Sequence, residues 1–403
     1  MKPRVLFLDQ QAWRAGGQRV LEDVLDALRD DVDPIVALPE DGPFAAALRE
    51  KDIPTMTCPL GSYRPGRKSL GEMLAFPIRS LLCGLRLARV IERQGIQLVY
   101  INGPRCLPAG VLAAWLTGRL SIFHLHRTLT RKSELAITSL AANSVDCIVS
   151  CSQASADALV EAGLKLASKV QVVYNPAPSV SPEVRRRAEL EAQDLPRAGA
   201  PIVGFVGRVT PGKGLHVLIE AAARIRARWP EILIEVVGAP EGRSPDDLVY
   251  MRRLETRATE LGLGSNVRWV GYRSDPMPYF TRFDVLALPS VDNGDGVPMV
   301  ALEAAQWGVP VVASRAGGIP EVVRHGINGL LVPPGNEEAL ARELERVLAD
   351  SQLRAWLAAA ARTTLDPRFS LGLFRSRIRE IVCGLLPACP RVAHEEEEIE
   401  ARV

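Results

Sequence analysis

Arg208 and Lys213 stand five positions apart in the segment GRVTPGKG (residues 207–214), separated by a Pro-Gly pair that turns the chain tightly. Across such a turn both cations converge on one point above the preceding strand. A diphosphate is the natural occupant, because Arg grips it as a fork and Lys as a point charge. The spacing differs from the GxxxxGK[ST] phosphate loop. The second chemical feature lies within residues 289–333, PSVDNGDGVPMVALEAAQWGVPVVASRAGGIPEVVRHGINGLLVP. Asp295 is in a Gly-rich loop and Glu303 is eight positions on, about a turn and a half into a helix, so both can face one ligand at the helix start. Carboxylates at this spacing are common, and alone they read equally well as a turn residue and a solvated helix carboxylate. The helix start itself, Gly296, Val297, Pro298, Met299 and Val300, favours an anion through its N–H groups and partial positive charge. Pro298 suits the first helical turn, where no N–H is missed.

Two weaker candidates lie in the first half. Gly16 and Gly17 sit between a strand and a helix, a turn that can face a phosphate but is more often punctuation. His124 and His126 flank Leu125 at a strand end, and their imidazoles are expected on opposite sides of that strand. His126, next to Arg127, is then the better placed to meet a ligand.

These residues need strands to present them, and the chain supplies an alternation of apolar strands and helical segments. Strands are predicted at residues 4–8, 34–38, 98–102, 121–125, 147–151 and 170–174, then at 202–207, 232–238, 267–271, 283–289, 309–314 and 328–333. Such an order predicts an α/β architecture of parallel sheets covered on both faces, with ligands at the carboxyl ends of the strands. At 403 residues the chain suits two domains. The boundaries fall at 1–175 for the first domain, 176–201 for a proline-rich charged linker and 202–365 for the second domain. Residues 366–390 form an amphipathic helix that packs back on the first domain, and residues 391–403 an acidic tail.

Composition excludes several classes. A formal charge of +2 and 5% aromatic residues argue against nucleic acid as a partner. Seven scattered cysteines without a CxxC pair read as reduced thiols of a cytoplasmic protein, with no metal site. The start, MKPRVLFLDQ, reads as a strand and not as a leader, and no apolar run approaches the roughly 20 residues of a spanning helix. Neither half carries GxGxxG after its first strand, which argues against an oxidoreductase. The neutral total hides a local bias: residues 60–132 hold twelve Lys and Arg against Glu72 and Glu92. Within residues 62–94, Arg79, Arg86 and Arg89 interleave with Leu81, Leu82, Leu85 and Leu87 as in a basic amphipathic helix. That segment fits peripheral contact with an anionic membrane, at the inner face of the cytoplasmic membrane, and equally a core helix with a wet arginine face.

GRVTPGKG, the Asp295-to-Glu303 segment with VPMVALEAAQWGVPVVAS, and GGIPEVVRHGINGLLVPP together resemble the retaining glycosyltransferases of GT-B fold, the broad glycosyltransferase 4 family. GGQRVL, CSQAS and VVYNP resemble its weaker amino-terminal landmarks. The resemblance implies two Rossmann-like domains facing each other across a cleft. It implies transfer of a hexose from a UDP- or GDP-sugar to a hydroxyl acceptor, for which a lipid-linked or envelope polysaccharide precursor is the candidate, without metal or cofactor. Carried over, Arg208 and Lys213 hold the donor diphosphate and Glu303 the ribose hydroxyls. Gly16 and Gly17 admit the donor, His126 contacts its sugar, and Tyr272 belongs to the donor-binding set. The family's first signature glutamate is Asp295 here, one methylene shorter. A sugar-nucleotide epimerase or hydrolase, or a nucleotide-sugar-binding protein without catalysis, would use the same diphosphate grip.

Overall fold

The computed structural model describes residues 2–61, 70–195, 199–240, 245–365 and 367–387. Thirteen strands among these residues make two sheets, both wholly parallel. Strands β1 (Arg4–Asp9), β2 (Asp33–Leu38), β3 (Thr55–Thr57), β4 (Ile96–Asn102), β5 (Leu120–Leu125), β6 (Cys147–Ser150) and β7 (Val170–Val172) lie in the order β3-β2-β1-β4-β5-β6-β7. Strands β8 (Ile202–Val206), β9 (Leu233–Val237), β10 (Val267–Gly271), β11 (Val285–Leu288), β12 (Val311–Ser314) and β13 (Leu330–Val332) lie in the order β10-β9-β8-β11-β12-β13. In each sheet the strand order reverses beside the first strand, between β1 and β4 and between β8 and β11. Those two switch points are where an open parallel sheet leaves a crevice for a ligand.

Helices cover both faces of each sheet, which is why the strands are near-continuous apolar runs: β4 buries six of its seven residues. Each Val, Leu or Ile taken out of water this way contributes about 1.5–3 kcal/mol. The first sheet is also covered from the far end of the chain. Helix Leu371–Gly384 inserts Phe374, Ile378 and Val382 among Leu21, Leu25 and Leu28, and Arg379 grips Asp31 with two hydrogen bonds of 2.7 and 2.8 Å. The chain thus crosses back from the second sheet to the first, tying the two together.

The proline-rich stretch of residues 176–201 is more ordered than its composition suggests. It holds helix Pro182–Gln193, started by Ser181, whose hydroxyl accepts from the Val184 amide. That helix lies against the second sheet's domain through Arg185, whose guanidinium stacks 4.7 Å over the Trp307 ring. Strand β3, three residues long and on the sheet edge, was too short for the apolar pattern to reveal. The thiol reading holds for five cysteines, which are free and buried, but Cys383 is disulfide-bonded and corrects it there. Residues 62–69 of the basic segment and the acidic tail of 391–403 lie outside the described residues.

Candidate active site

The exits of β8 and β11 build one wall. After β8 the chain makes the single turn Pro211–Lys213 and then helix Leu215–Arg226, with Gly214 between them at φ 69°. Only glycine fits there: a Cβ at Gly214 would lie 1.8 Å from the Pro289 carbonyl oxygen. The turn is stitched to the loop after β11 by the Val291 amide, which donates to the Gly212 carbonyl at 2.9 Å. This contact brings Lys213 onto Asp295, to whose Oδ1 its ammonium donates, while the Ser290 hydroxyl donates to Oδ2 at 2.7 Å. Burial alone would push the Asp295 carboxyl up, but Lys213, Ser290 and the field of Arg208 hold it below the usual carboxylate range. Arg208 itself is exposed at the mouth. Cation and carboxylate therefore neutralise each other, and any anion drawn to Lys213 must compete with Asp295 for it.

Helix Met299–Trp307 begins one residue later than the sequence suggests: Pro298 precedes it in extended conformation instead of occupying its first turn. Gly308 ends it at φ 70°. Gly296 and Val297 are buried against the first domain, and the Val297 amide is directed at the Cys151 sulfur. Met299 and Val300 are half-buried at the helix start. Glu303, 4% exposed, points out of this helix into the cleft. Burial raises its pKa, opposed by Arg19, whose guanidinium donates to Oε1 at 3.0 Å from the opposite domain. Tyr272 is 67% exposed after the edge strand β10, whose end is joined to the β9 exit by the Gly238 amide donating to the Gly271 carbonyl at 2.9 Å.

The exits of β1, β4 and β5 build the facing wall. Strand register aligns Asp9 with Asn102 and Asn102 with His124. His126 follows two residues later, and its ring lies beside that of His124, tilted by 40° with centroids 4.0 Å apart. The two imidazoles share one side because residues two apart on a strand share a face, so the expectation of opposite sides is wrong. His124 is fully buried and its Nδ1 meets the Tyr100 hydroxyl at 2.7 Å, which gives it a structural place. His126 packs against Gly17, where a Cβ would lie 3.4 Å from its Cδ2, and burial lowers its pKa to about 4. Gly16, exposed, opens helix Gly16–Ala27.

The two walls touch. The Thr128 hydroxyl donates to the Asp295 carbonyl at 3.3 Å, Arg127 and Asp295 form an antiparallel bridge, and Glu321 accepts from the Gln153 and Ala154 amides at 2.8 and 2.9 Å. Lys213, Asp295, Glu303, His126, Gly17 and the 296–300 helix start thus line one cleft. Arg19 and Ser290 join them, and Asp9 and Asn102 lie buried behind His126, all four without having been singled out. Asp9 and Asn102 carried one usable signal, a polar residue closing an apolar strand beside a switch point.

Such a cleft offers cations and amides to a diphosphate, a carboxylate to hydroxyls and an imidazole to a sugar. The sequence model of the family described as Glycosyltransferase Family 4 matches residues 14–178, and that of Glycosyl transferases group 1 matches residues 186–364. The lipopolysaccharide core biosynthesis glycosyltransferase LpsE of Rhizobium meliloti (strain 1021) is 33% identical over 245 residues, 61% of this chain and 65% of that protein. The D-inositol 3-phosphate glycosyltransferase of Salinispora arenicola (strain CNS-205) is 38% identical over 192 residues, 45% of this chain and 42% of that protein. The matches therefore span about half the length of these curated relatives. Anabaena Alr3699/HepE, solved in complex with UDP and glucose, superposes with a TM-score of 0.79 at 29% identity over 95% of this chain and 100% of that one.

Proposed function

The chain belongs to the GT-B glycosyltransferases of the group 1 and family 4 type, and from that premise we propose that it moves a hexose from a nucleotide diphosphate sugar to a hydroxyl acceptor with retention of configuration. The observation that carries this reading is the pairing of Lys213 with Asp295 at one switch point, opposite His126 at the other. Breaking the sugar–phosphate bond builds negative charge on the leaving diphosphate. Lys213 and Arg208 stabilise that charge, the service that a divalent cation performs in metal-dependent transferases. The Asp295 carboxylate is engaged by Lys213 and Ser290 and is poorly placed as a nucleophile. Attack on the face from which the phosphate departs, with the acceptor proton passing to the leaving phosphate oxygen, fits that arrangement and retains configuration.

A UDP-sugar is the first donor to test, because the similar Anabaena protein was solved with UDP and with UDP-glucose. Thermal unfolding against a panel of UDP- and GDP-sugars is expected to show one base stabilising the protein, by about 2.7 kcal/mol at a hundredfold excess over Kd. No shift with any of them sinks the donor reading. Incubation with donor alone then separates transfer from epimerisation or hydrolysis, neither of which needs an acceptor.

The acceptor is proposed to be lipid-linked. Helix Leu70–Gln94 buries Cys83, Leu87 and Ile91, yet its outer side exposes Met73, Leu74, Ile78 and Leu82 at 54–75%. Beside it, Trp115 of helix Leu107–Thr117 is 74% exposed. Arg79, Arg86 and Arg89 are exposed on the same helix. An arginine-flanked apolar face is chemistry for an anionic bilayer and not for water. Flotation with phosphatidylglycerol-containing vesicles is expected to carry the protein upward, and Leu74→Asp with Leu82→Asp to leave it at the bottom. Wild type that stays at the bottom overturns the membrane reading.

A further inference from the structure

Three buried side chains behind His126 form a chain of hydrogen bonds with a defined direction. Asp9, Gln18 and Asn102 are each at most 2% exposed. The Asp9 carboxylate accepts from the Gln11 amide at 2.7 Å, from Gln18 Nε2 at 2.9 Å and from Asn102 Nδ2 at 2.5 Å. Gln18 is itself held by the Ala15 amide, which donates to its Oε1 at 3.2 Å. On the far side, Asn102 Oδ1 lies 2.5 Å from His126 Nε2.

The orientation of Asn102 follows from its neighbours. Its Nδ2 faces the Asp9 carboxylate and, at 3.5 Å, the Gly17 carbonyl, and neither can donate. A flipped amide would set one carbonyl against two acceptors and leave the NH2 group against the imidazole. Oδ1 therefore faces His126, and the proton of the neutral ring must sit on Nε2. That leaves Nδ1 as a lone pair, buried and with no hydrogen-bond partner among the described residues. Asp9 is ionised at neutral pH, with a pKa raised only to about 6 by burial against the hydrogen bonds it accepts, so the direction of the chain holds there.

We propose that Asn102 is a positioning residue that fixes the tautomer of His126, making Nδ1 a permanent acceptor for a hydroxyl of the donor sugar. Asp9 and Gln18 set the direction by fixing Asn102 in turn. This proposal rests on the transferase reading for the identity of the hydroxyl, but not for the tautomer. It requires the sugar to present a hydroxyl that donates at that position, so a donor whose hydroxyl there is replaced by fluorine loses the contact.

The test uses 15N-histidine-labelled protein and two-bond proton–nitrogen correlation, with His126→Gln assigning the signal among the five histidines. Wild type at neutral pH is expected to show a neutral His126 ring protonated on Nε2. Asn102→Ala is expected to mix the tautomers and lower kcat about tenfold, with a smaller change in the donor KM. The exchange Asp9→Asn with Asn102→Asp keeps a carboxylate facing Nε2 and an amide facing Gln11 and Gln18. It is expected to restore the Nε2 proton and most of kcat, which a residue of merely structural weight would not do. A wild-type ring protonated on Nδ1 overturns the proposal without any variant, as does an Asn102→Ala protein unchanged in both tautomer and kcat. If the Nε2 proton is found and no nucleotide sugar binds or turns over, the transferase reading fails and the tautomer assignment stands.

Discussion

Replacing Lys213 with alanine is expected to lower transfer about a hundredfold or more while the protein stays folded. Lys213 lies in the turn Pro211–Lys213, whose backbone is held by Gly214 and by the Val291–Gly212 contact and not by the side chain. The loss should therefore fall on the chemical step, where removing one preorganised charge from a developing oxyanion costs about 10²–10³ in kcat. A second consequence concerns Asp295. Its pKa is depressed in the folded state, so it contributes stability that is present above its ordinary 3.8 and is lost as pH falls through the folded value. Removing Lys213 takes away the nearest cation, and the variant is expected to be less stable by about 1–3 kcal/mol at neutral pH. The gap from wild type should narrow as pH is lowered below 3.8. Urea unfolding at several pH values, with turnover of the donor found by thermal shift, measures both effects. Normal turnover in this variant overturns the placement of the diphosphate between the β8 and β11 exits.

How far such a site can be read in advance depends on the sequence distance between its parts. Arg208 with Lys213, and Asp295 with Glu303, are local patterns, each set by one turn or one helix start, and they were legible as soon as the strands were. The relay behind His126 was not, because Asp9 and Asn102 are 93 positions apart and meet only when β4 is laid beside β1. Nothing in either segment says which strands are neighbours. The Arg19 contact spans 284 positions and two domains, and depends on how closely the two walls approach. Helix Pro182–Gln193 was hidden for another reason. The fold buries only Ala188 of this helix, so it has almost no apolar stripe to detect. The paired histidines show that a period-two pattern must be applied to residues and not to the gap between them: His124 and His126 had to share a face, and do.

Glu303→Ala is expected to weaken UDP binding at least about tenfold, since each charge-assisted hydrogen bond to a ribose hydroxyl is worth about 1.5–3 kcal/mol. The free protein already shows what that carboxylate seeks: Arg19 reaches from helix Gly16–Ala27 across the cleft to satisfy it. A ribose arriving at Glu303 must displace Arg19, so Arg19→Ala removes a competitor and is expected to bind UDP no more weakly than wild type at neutral pH. Burial raises the Glu303 pKa above its ordinary 4.5, and Arg19 opposes that rise. Two signs follow. With the ribose placed at Glu303 as proposed, binding uses the ionised carboxylate, so UDP affinity in wild type should fall as pH is lowered through the raised value, at a higher pH in Arg19→Ala, and show no such step in Glu303→Gln. Stability runs the other way. A carboxyl with a raised folded pKa contributes stability that is complete below 4.5 and is lost as pH rises through the folded value, a loss that Glu303→Gln should not show. Calorimetric titration of UDP across that range, beside unfolding of the free proteins, separates the two. Unchanged UDP affinity in Glu303→Ala would mean that the ribose lies elsewhere and that the Arg19–Glu303 pair only holds the two domains together.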